Sequence, residues 1–299
     1  MSTLAHRAEV IKLSRLLGTT PEQLDYLGKL DTLAIRRVRE QASAALFDPD
    51  RKMFQRVATA SRLMPAAVTA LIAEKALGPL LCARVTGLMA PDRAVEIASK
   101  LKTGFLADLC LELDPRSARE VLEAMPIPRI VEVAQELARR KEYITMARFV
   151  DSLGDEAIRA VMNALRDDEA LLRIGFFVED SDRLSAIIGL LPDQRLRNIV
   201  AVAVAGDAGL WPEALSLINS VEPAQRRRMA ALAAGLDDDA VARMFRSTQS
   251  HGLWDELRPL LDLLDQPALA RAAGIAAGLD PQLAARLEQA LRPPVKPAA

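Results

Sequence analysis

The chain has 299 residues, of which 51% are hydrophobic and only 4% aromatic, and its 39 Lys and Arg nearly balance its 40 Asp and Glu. This balance argues against nucleic acid as the main partner, because nucleic-acid binders usually carry a basic excess or a basic face. Runs of alternating β-branched or aromatic residues are absent from the sequence, which excludes an extensive sheet. Alanine and leucine predominate, and both favour helices, so the composition predicts an all-α protein.

The N-terminal segment is polar and charged, so we do not interpret it as a secretory signal. Thr20-Pro21-Glu22-Gln23 has the pattern of a capping box and predicts a helix that begins at Pro21. Leu13–Leu27 also has the outline of a helix-turn-helix, which keeps DNA binding open as an alternative. Its second helix would present Glu22 and Asp25 to phosphates, which is unfavourable for recognition.

The most apolar stretch runs from Leu63 to Ala90 and is interrupted by prolines, a glycine and charged residues. Because a membrane span needs about 20 clean apolar residues, we predict no membrane span here but a buried helix pair in a soluble, cytoplasmic protein. Cys82 and Cys110 lie in apolar helical patterns, and we expect both to be free thiols.

A recurring pattern predicts short helices along most of the chain. An apolar residue precedes an Asp or Pro helix start, and apolar residues then follow at helical spacing, as after Met89, Leu113 and Leu153. Asp-Pro pairs at positions 48, 114 and 280 are further predicted helix starts. We therefore expect helices of roughly 9 to 16 residues, joined by tight turns, from Lys12 to Leu291.

The C-terminal third contains a duplication. Gly209-Leu210-Trp211 returns as Gly252-Leu253-Trp254, and Ala233–Leu236 returns as Ala276–Leu279, both shifted by 43 residues. A 43-residue unit falls in the size range of HEAT and armadillo repeats. The two tryptophans would occupy equivalent positions at helix starts, where we expect them to act as structural wedges.

These patterns predict an irregular right-handed α-solenoid of short antiparallel helices. We divide it into an N-terminal helical cap over residues 1–88, a helical repeat array over 89–291 and a disordered proline-rich tail over 292–299.

The segment Leu113–Met125 resembles the repeats in the cytoplasmic N domain of MgtE-type magnesium transporters. That family repeats a leucine, an Asp/Pro helix start, a small residue and a paired apolar position; Met89–Leu101 and Leu153–Leu165 match the pattern less closely. The resemblance implies a right-handed superhelix of short helices. It does not imply magnesium transport, because we find no stretch suited to a membrane domain.

Chemistry-bearing motifs are scarce. Histidine occurs only at His6, in an N-terminus expected to be mobile, and at His251, in a predicted loop, and no glycine-rich phosphate loop or metal-binding motif is present. The acidic runs 167–169 and 237–239 are interpreted as helix starts, where carboxylates are favoured. We therefore predict no enzymatic activity, no cofactor and no metal site.

Two groups of residues are candidates for a partner surface. Basic runs include Arg36-Arg37 with Arg39, which we interpret as a solvated helix face, and aromatic residues collect in the middle of the chain. The predicted partner surface comprises Arg139, Arg140, Tyr143, Phe176, Phe177, Arg226, Arg227 and Arg228.

The leading functional hypothesis is a non-enzymatic scaffold or adaptor that binds another protein, with self-association as a further expectation because a repeat array has two ends. One alternative is a nucleic-acid-associated regulator that uses basic helix ends. The other is a small-ligand binder with a pocket between repeats.

Overall fold

The computed structural model describes residues 4–47, 51–205 and 210–291. The chain is 81% helical, with 20 helices and no strand in those ranges, which confirms the all-α prediction. Three predicted features lie outside the described residues: the helix start at Asp48-Pro49, Gly209 of the duplicated tripeptide and the tail over 292–299.

The chain divides into two compact units, which we call the first and the second unit. The first unit comprises Met1–Arg166 together with Phe177–Glu179. Its α-helices are α1 Leu4–Leu17, α2 Thr32–Phe47, α3 Arg51–Ala60, α4 Ala66–Ile72, α5 Gly78–Thr86, α6 Pro91–Ala98, α7 Thr103–Glu112, α8 Arg119–Ala124, α9 Ile127–Arg139, α10 Tyr143–Phe149 and α11 Asp155–Ala164. Shorter helical segments are the 3₁₀ helices Pro21–Lys29, Ser61–Leu63 and Val150–Ser152 and the π-helix Ala73–Leu77.

The second unit comprises Asp167–Phe176 together with Asp180–Ala299. Its helices are α12 Asp168–Phe176, α13 Ser181–Leu190, α14 Asp193–Val204, α15 Trp211–Ser220, α16 Pro223–Ala234, α17 Asp238–His251, α18 Trp254–Leu261, α19 Gln266–Leu279 and α20 Pro281–Leu291. The predicted boundary at residue 88 falls inside the first unit and stays a prediction.

Helix starts in the second unit repeat at the offset that the sequence duplication indicates. Helices α15, α16 and α17 begin 43 residues before α18, α19 and α20, respectively. Helices α12, α13 and α14 begin 43, 42 and 45 residues before α15, α16 and α17, so the unit contains a third copy that the sequence comparison missed. Helix contacts recur with the same shift, because α12 packs on α15 as α15 packs on α18, and α14 packs on α17 as α17 packs on α20.

Most predicted helix starts are confirmed. Helices begin at Pro91, Asp155 and Pro281, as the recurring pattern indicates. The start predicted at Pro115 is wrong, because residues 115–118 form a turn and α8 begins only at Arg119. The helix that begins at Pro21 is a 3₁₀ helix, Pro21–Lys29, and not an α-helix. The helix-turn-helix alternative requires an α-helical recognition helix there, so the structure does not support it.

The N-terminal segment is a packed helix, which corrects the expectation of a mobile N-terminus. Helix α1 begins at Leu4, eight residues before the predicted first helix, and packs on α2. His6 is 7% exposed and therefore buried. Val10 and Leu13 on the same helix are buried too.

The apolar stretch forms two helices but is not a buried pair. Gly78 adopts φ 77° and ψ 168°, in a region that favours glycine, and ends the first helical segment. The Cys82 sulfur then lies 4.0 Å from the Ala73 carbonyl oxygen, a distance that a straight helix would not permit, so the chain turns back on itself. Leu63 and Leu71 on this stretch are 87% and 57% exposed, which contradicts the predicted burial.

Candidate interaction surfaces

The residues of the predicted partner surface are distributed over both units. Arg139, Arg140, Tyr143 and Phe177 belong to the first unit, and Phe176 with Arg226, Arg227 and Arg228 belongs to the second. Tyr143, Phe176 and Phe177 are all half-buried, so none of the three aromatic side chains is freely exposed.

Arg139 and Arg140 converge on one carboxylate. The Arg139 guanidinium donates two hydrogen bonds to Glu136, at 2.7 and 2.8 Å, and Arg140 donates to Glu136 at 2.7 Å and also to Asp108. Hydrogen bonds from Arg139 and then Arg140 lower the pKa of Glu136 to about 2. This basic run is therefore neutralised within its own unit.

Two of the three consecutive arginines in α16 form hydrogen bonds within the second unit. Arg226 donates to the carbonyl oxygens of Asn219 and Val221, and Arg228 donates to the Asp193 carboxylate at 2.6 Å. Arg227 is exposed and makes no hydrogen bond within the part of the chain that the structure describes.

Arg228 belongs to a set that we call the arginine series. In each member, an alanine, serine or isoleucine follows the arginine five positions later, and a leucine or methionine follows eight positions later. The series consists of Arg56, Arg93, Arg129, Arg183, Arg228 and Arg271. The first three lie in the first unit, on α3, α6 and α9, and the last three lie in the second, on α13, α16 and α19.

Four members of the series bind the carboxyl end of the helix that carries the preceding member. In the first unit the acceptors are the carbonyl oxygens of Ser61 and Met64 for Arg93, and of Ala98 and Leu101 for Arg129. In the second unit they are those of Ile188 and Leu191 for Arg228, and of Ala234 and Leu236 for Arg271. Carbonyls at a helix end lack intrahelical donors, and a cation there also complements the helix dipole. The series thus joins each helix to the equivalent helix of the preceding copy.

A buried cluster of charges lies in the first unit and was missed by the sequence analysis. Glu9 on α1 is only 2% exposed, and it contacts Lys12 at 3.3 Å, Arg36 at 3.3 Å and Arg39 at 3.2 Å. Glu179 completes the cluster, since it contacts Lys12 at 3.0 Å and Arg39 at 2.8 Å. Burial alone would raise the pKa of Glu179, but the cations, Lys12 first, outweigh it and lower the pKa.

This cluster corrects the interpretation of residues 36–39 as a solvated face. Of its three arginines only Arg37 is exposed, whereas Arg36 and Arg39 reach carboxylates of α1 and of the segment before α13. The available signal was the placement of Glu9 and Lys12 among apolar residues of α1, where a charge can be buried only with partners.

The first unit also exposes an apolar surface. We call Leu63, Val68, Leu71, Leu80 and Leu81 the α4–α5 surface; their exposures range from 38% to 87%. On α4, Val68 and Leu71 lie opposite the buried stripe of Ala66 and Ala70, so this helix is apolar on both faces. The face of a helix opposite the core is normally polar, so the exposed apolar residues of α4 are unusual.

The segment Ala66–Thr86, which contains most of this surface, is also long and apolar enough to cross a membrane. Its most apolar window of 18 residues has a mean hydropathy of 1.5, and 33% of that window is buried. The turn at Gly78 divides the segment into two shorter helices.

The two tryptophans occupy equivalent positions but differ in burial. Both are the first residue of a helix, as predicted, and Trp211 is fully buried, with its Nε1–H donating to Thr248 at 2.9 Å. Trp254 is half-buried, donates to Gln249 at 2.7 Å and stacks on Phe245 with ring centroids 6.2 Å apart.

The described residues include both histidines and both cysteines of the chain. No group of three or more His, Cys, Asp or Glu is placed there to hold a metal ion. His251 is the exposed last residue of α17, not a loop residue, and its Nδ1 donates to the Ser247 carbonyl at 2.8 Å. Both cysteines are free thiols, as predicted, and desolvation raises the pKa of Cys82 to about 11 and that of Cys110 to about 12.

A small apolar cavity of about 40 Å³ lies between the last two copies of the second unit. Leu257, Phe245 and Ile275 are among its lining residues, and Arg271 is the charged one. The volume suits a few atoms and is far below the roughly 300 Å³ of ordinary ligand pockets.

No protein-family model, curated protein or solved structure matches this chain.

Proposed function

We propose that this chain is a non-enzymatic helical-repeat scaffold that binds another protein through the α4–α5 surface. We further propose that its helices form an irregular right-handed α-solenoid of the MgtE N-domain style and that the protein acts in the cytoplasm. The repetition of helix starts and helix contacts in the second unit supports the solenoid, because stacked equivalent units are how such proteins bury their cores.

The observation that carries the proposed function is the exposure of α4 on its apolar outer face. Burying an apolar side chain stabilises a complex by roughly 25 cal/mol per Å² removed from water, which favours a partner over solvent at this surface. Leu63 supports this most directly, since it is 87% exposed at the corner between α3 and α4.

Both alternatives have weaker support. A nucleic-acid-associated regulator would need free cations, whereas Arg139, Arg140, Arg226 and Arg228 are engaged within their own units. For a small-ligand binder, the cavity of about 40 Å³ between the last two copies lies well below the volume of ordinary ligand pockets.

The test is capture of partners by the immobilised full chain from an extract of its host at moderate salt. We expect a stoichiometric protein that is lost with the double variant L63Q/L71Q and retained with the control L263Q, because Leu263 is an exposed leucine of the second unit. Capture that is unaffected by L63Q/L71Q would contradict the proposal. If the chain captures no protein but binds anionic phospholipid vesicles, the α4–α5 surface would instead be assigned to membrane binding.

A further inference from the structure

Arg271 connects α19 to the carboxyl end of α16, at the junction between the last two copies. Beside the Arg271 hydrogen bonds to Ala234 and Leu236, the α19 side of the junction presents Ala268, Ala272 and Ile275, and the α16 side presents Ala230, Ala233 and Ala234. The junction therefore consists of small apolar contacts around one arginine that binds a helix end.

Arg56, on α3, is the first member of the arginine series, so no earlier member precedes it. Helix α3 nevertheless carries residues that correspond to the α19 side of this junction. When Arg56 is aligned with Arg271, residues 268, 272 and 275 correspond to Met53, Val57 and Ala60. All three are exposed, Met53 at 52% and Val57 at 37%, and so is Arg56. We call these four residues the α3 edge.

The next helix of the series, α6, buries two of the positions that α3 exposes. The residues of α6 that correspond to Val57 and Ala60 are Ala94 and Ile97, and both are 6% exposed. Arg93, which corresponds to Arg56, has its two carbonyl acceptors. Arg56 has no hydrogen bond within the described ranges.

The last member of the series, on α19, exposes part of the opposite half of the junction. A shift of 43 residues carries Ala230, Ala233 and Ala234 onto Ala273, Ala276 and Ala277, close to the carboxyl end of α19. Ala273 is exposed where Ala230 is buried, and Ala277 is exposed where Ala234 is half-buried, whereas Ala276 is buried as Ala233 is. We call this exposed half, with the end of α19 at Leu279, the α19 edge.

The segments that contain the two edges carry opposite net charges. Residues 51–64 contain four basic residues and no acidic one, whereas residues 254–291 contain six acidic and three basic residues. Two α3 edges would repel each other, which disfavours a symmetric dimer through this face. An α3 edge beside an α19 edge brings opposite charges together.

From this register and this complementarity we infer that the α3 edge of one copy of the chain packs against the α19 edge of a second copy. Arg56 then donates to carbonyl oxygens at the end of α19, as Arg271 does at the end of α16, while Met53 and Val57 cover Ala273 and Ala277. The contact is heterologous, with different surfaces on the two copies. The inference goes beyond the proposed function, since it uses other residues than the α4–α5 surface.

Sedimentation velocity of the full chain over a wide range of concentration tests this inference. We expect reversible, salt-weakened association beyond the monomer. R56E and A277E each block one edge at an exposed position, and each alone should weaken association at least about tenfold. R227E, a charge reversal at an exposed arginine of α16, should associate as the unaltered chain does.

Mixing the two blocked variants gives the decisive result. R56E retains an intact α19 edge and A277E an intact α3 edge, so an equimolar mixture should form a one-to-one dimer and nothing larger. Recovery on mixing also demonstrates that both variants are folded. The inference would be overturned if the unaltered chain stays monomeric at all concentrations. It would also be overturned if the unaltered chain associates but the mixture of the two variants stays monomeric. Capture of a protein partner could still succeed in either case, so the two proposals fail independently.

Discussion

The two units differ in where they place apolar and charged side chains. Of the 13 large hydrophobic residues exposed within the described ranges, 12 belong to the first unit and only Leu263 belongs to the second. Conversely, the first unit buries Glu9 and Lys12, at 2% and 6% exposure, whereas no charged residue described in the second unit is buried.

The regularity of the second unit accounts for this difference. Its three copies repeat the same helix contacts, so every internal apolar stripe meets an equivalent neighbour and is covered. In the first unit, α1 and α2 pack on each other, and the α3 edge and the α4–α5 surface stay exposed. The exposed large hydrophobic residues are thus concentrated between residues 17 and 81 of the first unit.

The equivalent tryptophans give the largest expected effect. We expect Trp211→Ala to destabilise the protein by about 3–5 kcal/mol, because it removes a fully buried ring and leaves Thr248 without its donor. Trp254→Ala, at the same position of the last copy, should cost roughly 1–2 kcal/mol, since its ring is half-buried. Urea denaturation measures both, and equal losses would contradict the view that the last copy is more open.

The buried charge cluster of the first unit should be almost as sensitive. Glu9→Gln leaves Lys12, Arg36 and Arg39 with one carboxylate in place of two, and we expect a loss of about 3–5 kcal/mol. Glu123→Gln, at an exposed position of α8, is the matched control and should change stability by less than about 0.5 kcal/mol. A similar small change for Glu9→Gln would show that the cluster contributes little.

The arginine series predicts a sharp contrast between neighbours in α16. Arg228→Gln removes hydrogen bonds to two helix-end carbonyls and to Asp193, which should cost about 1–3 kcal/mol. Arg227→Gln changes the same charge one residue away, and we expect at most about 0.5 kcal/mol, because Arg227 is exposed. Thermal unfolding of both variants is the measurement, and indistinguishable midpoints would refute the proposed junction.

A pH titration of stability distinguishes the charge cluster from ordinary surface pairs. The folded pKa of Glu179 lies below its ordinary value of 4.5, so its contribution is complete above pH 4.5 and is lost as pH falls through the folded pKa. The urea midpoint of the unaltered protein should therefore decrease as pH falls below 4.5. The decrease should be smaller for Glu179→Gln, which has no carboxylate to protonate at this position. An unchanged acid slope in that variant would exclude Glu179 as its source.

Thiol reactivity gives the smallest expected effect. Because desolvation raises the pKa of Cys82 to about 11, its thiolate at neutral pH should be about a hundredfold scarcer than that of an unperturbed cysteine near 9.0. Alkylation of the C110S variant, which isolates Cys82, should be slow in buffer and fast in urea. Fast labelling of the folded variant would show that Cys82 is accessible.

Local signals in the sequence were sufficient for the helices but not for every boundary. Pro91, Asp155 and Pro281 start helices because proline and N-terminal carboxylates are favoured in a first turn. The same signal was wrong at Pro115, where residues 115–118 form a turn before α8 begins at Arg119. The candidate surface was less predictable, since four of its five predicted arginines pair inside their own units.

The sequence by itself determined the all-α composition, the 43-residue period of the second unit and the free state of both cysteines, because helix propensity, periodicity and residue spacing are local or repeating properties. Tertiary structure alone decided which arginines bind helix ends, that Glu9 and Lys12 are buried and that α4 faces solvent. Those outcomes depend on which helices become neighbours, and local sequence signals do not specify that.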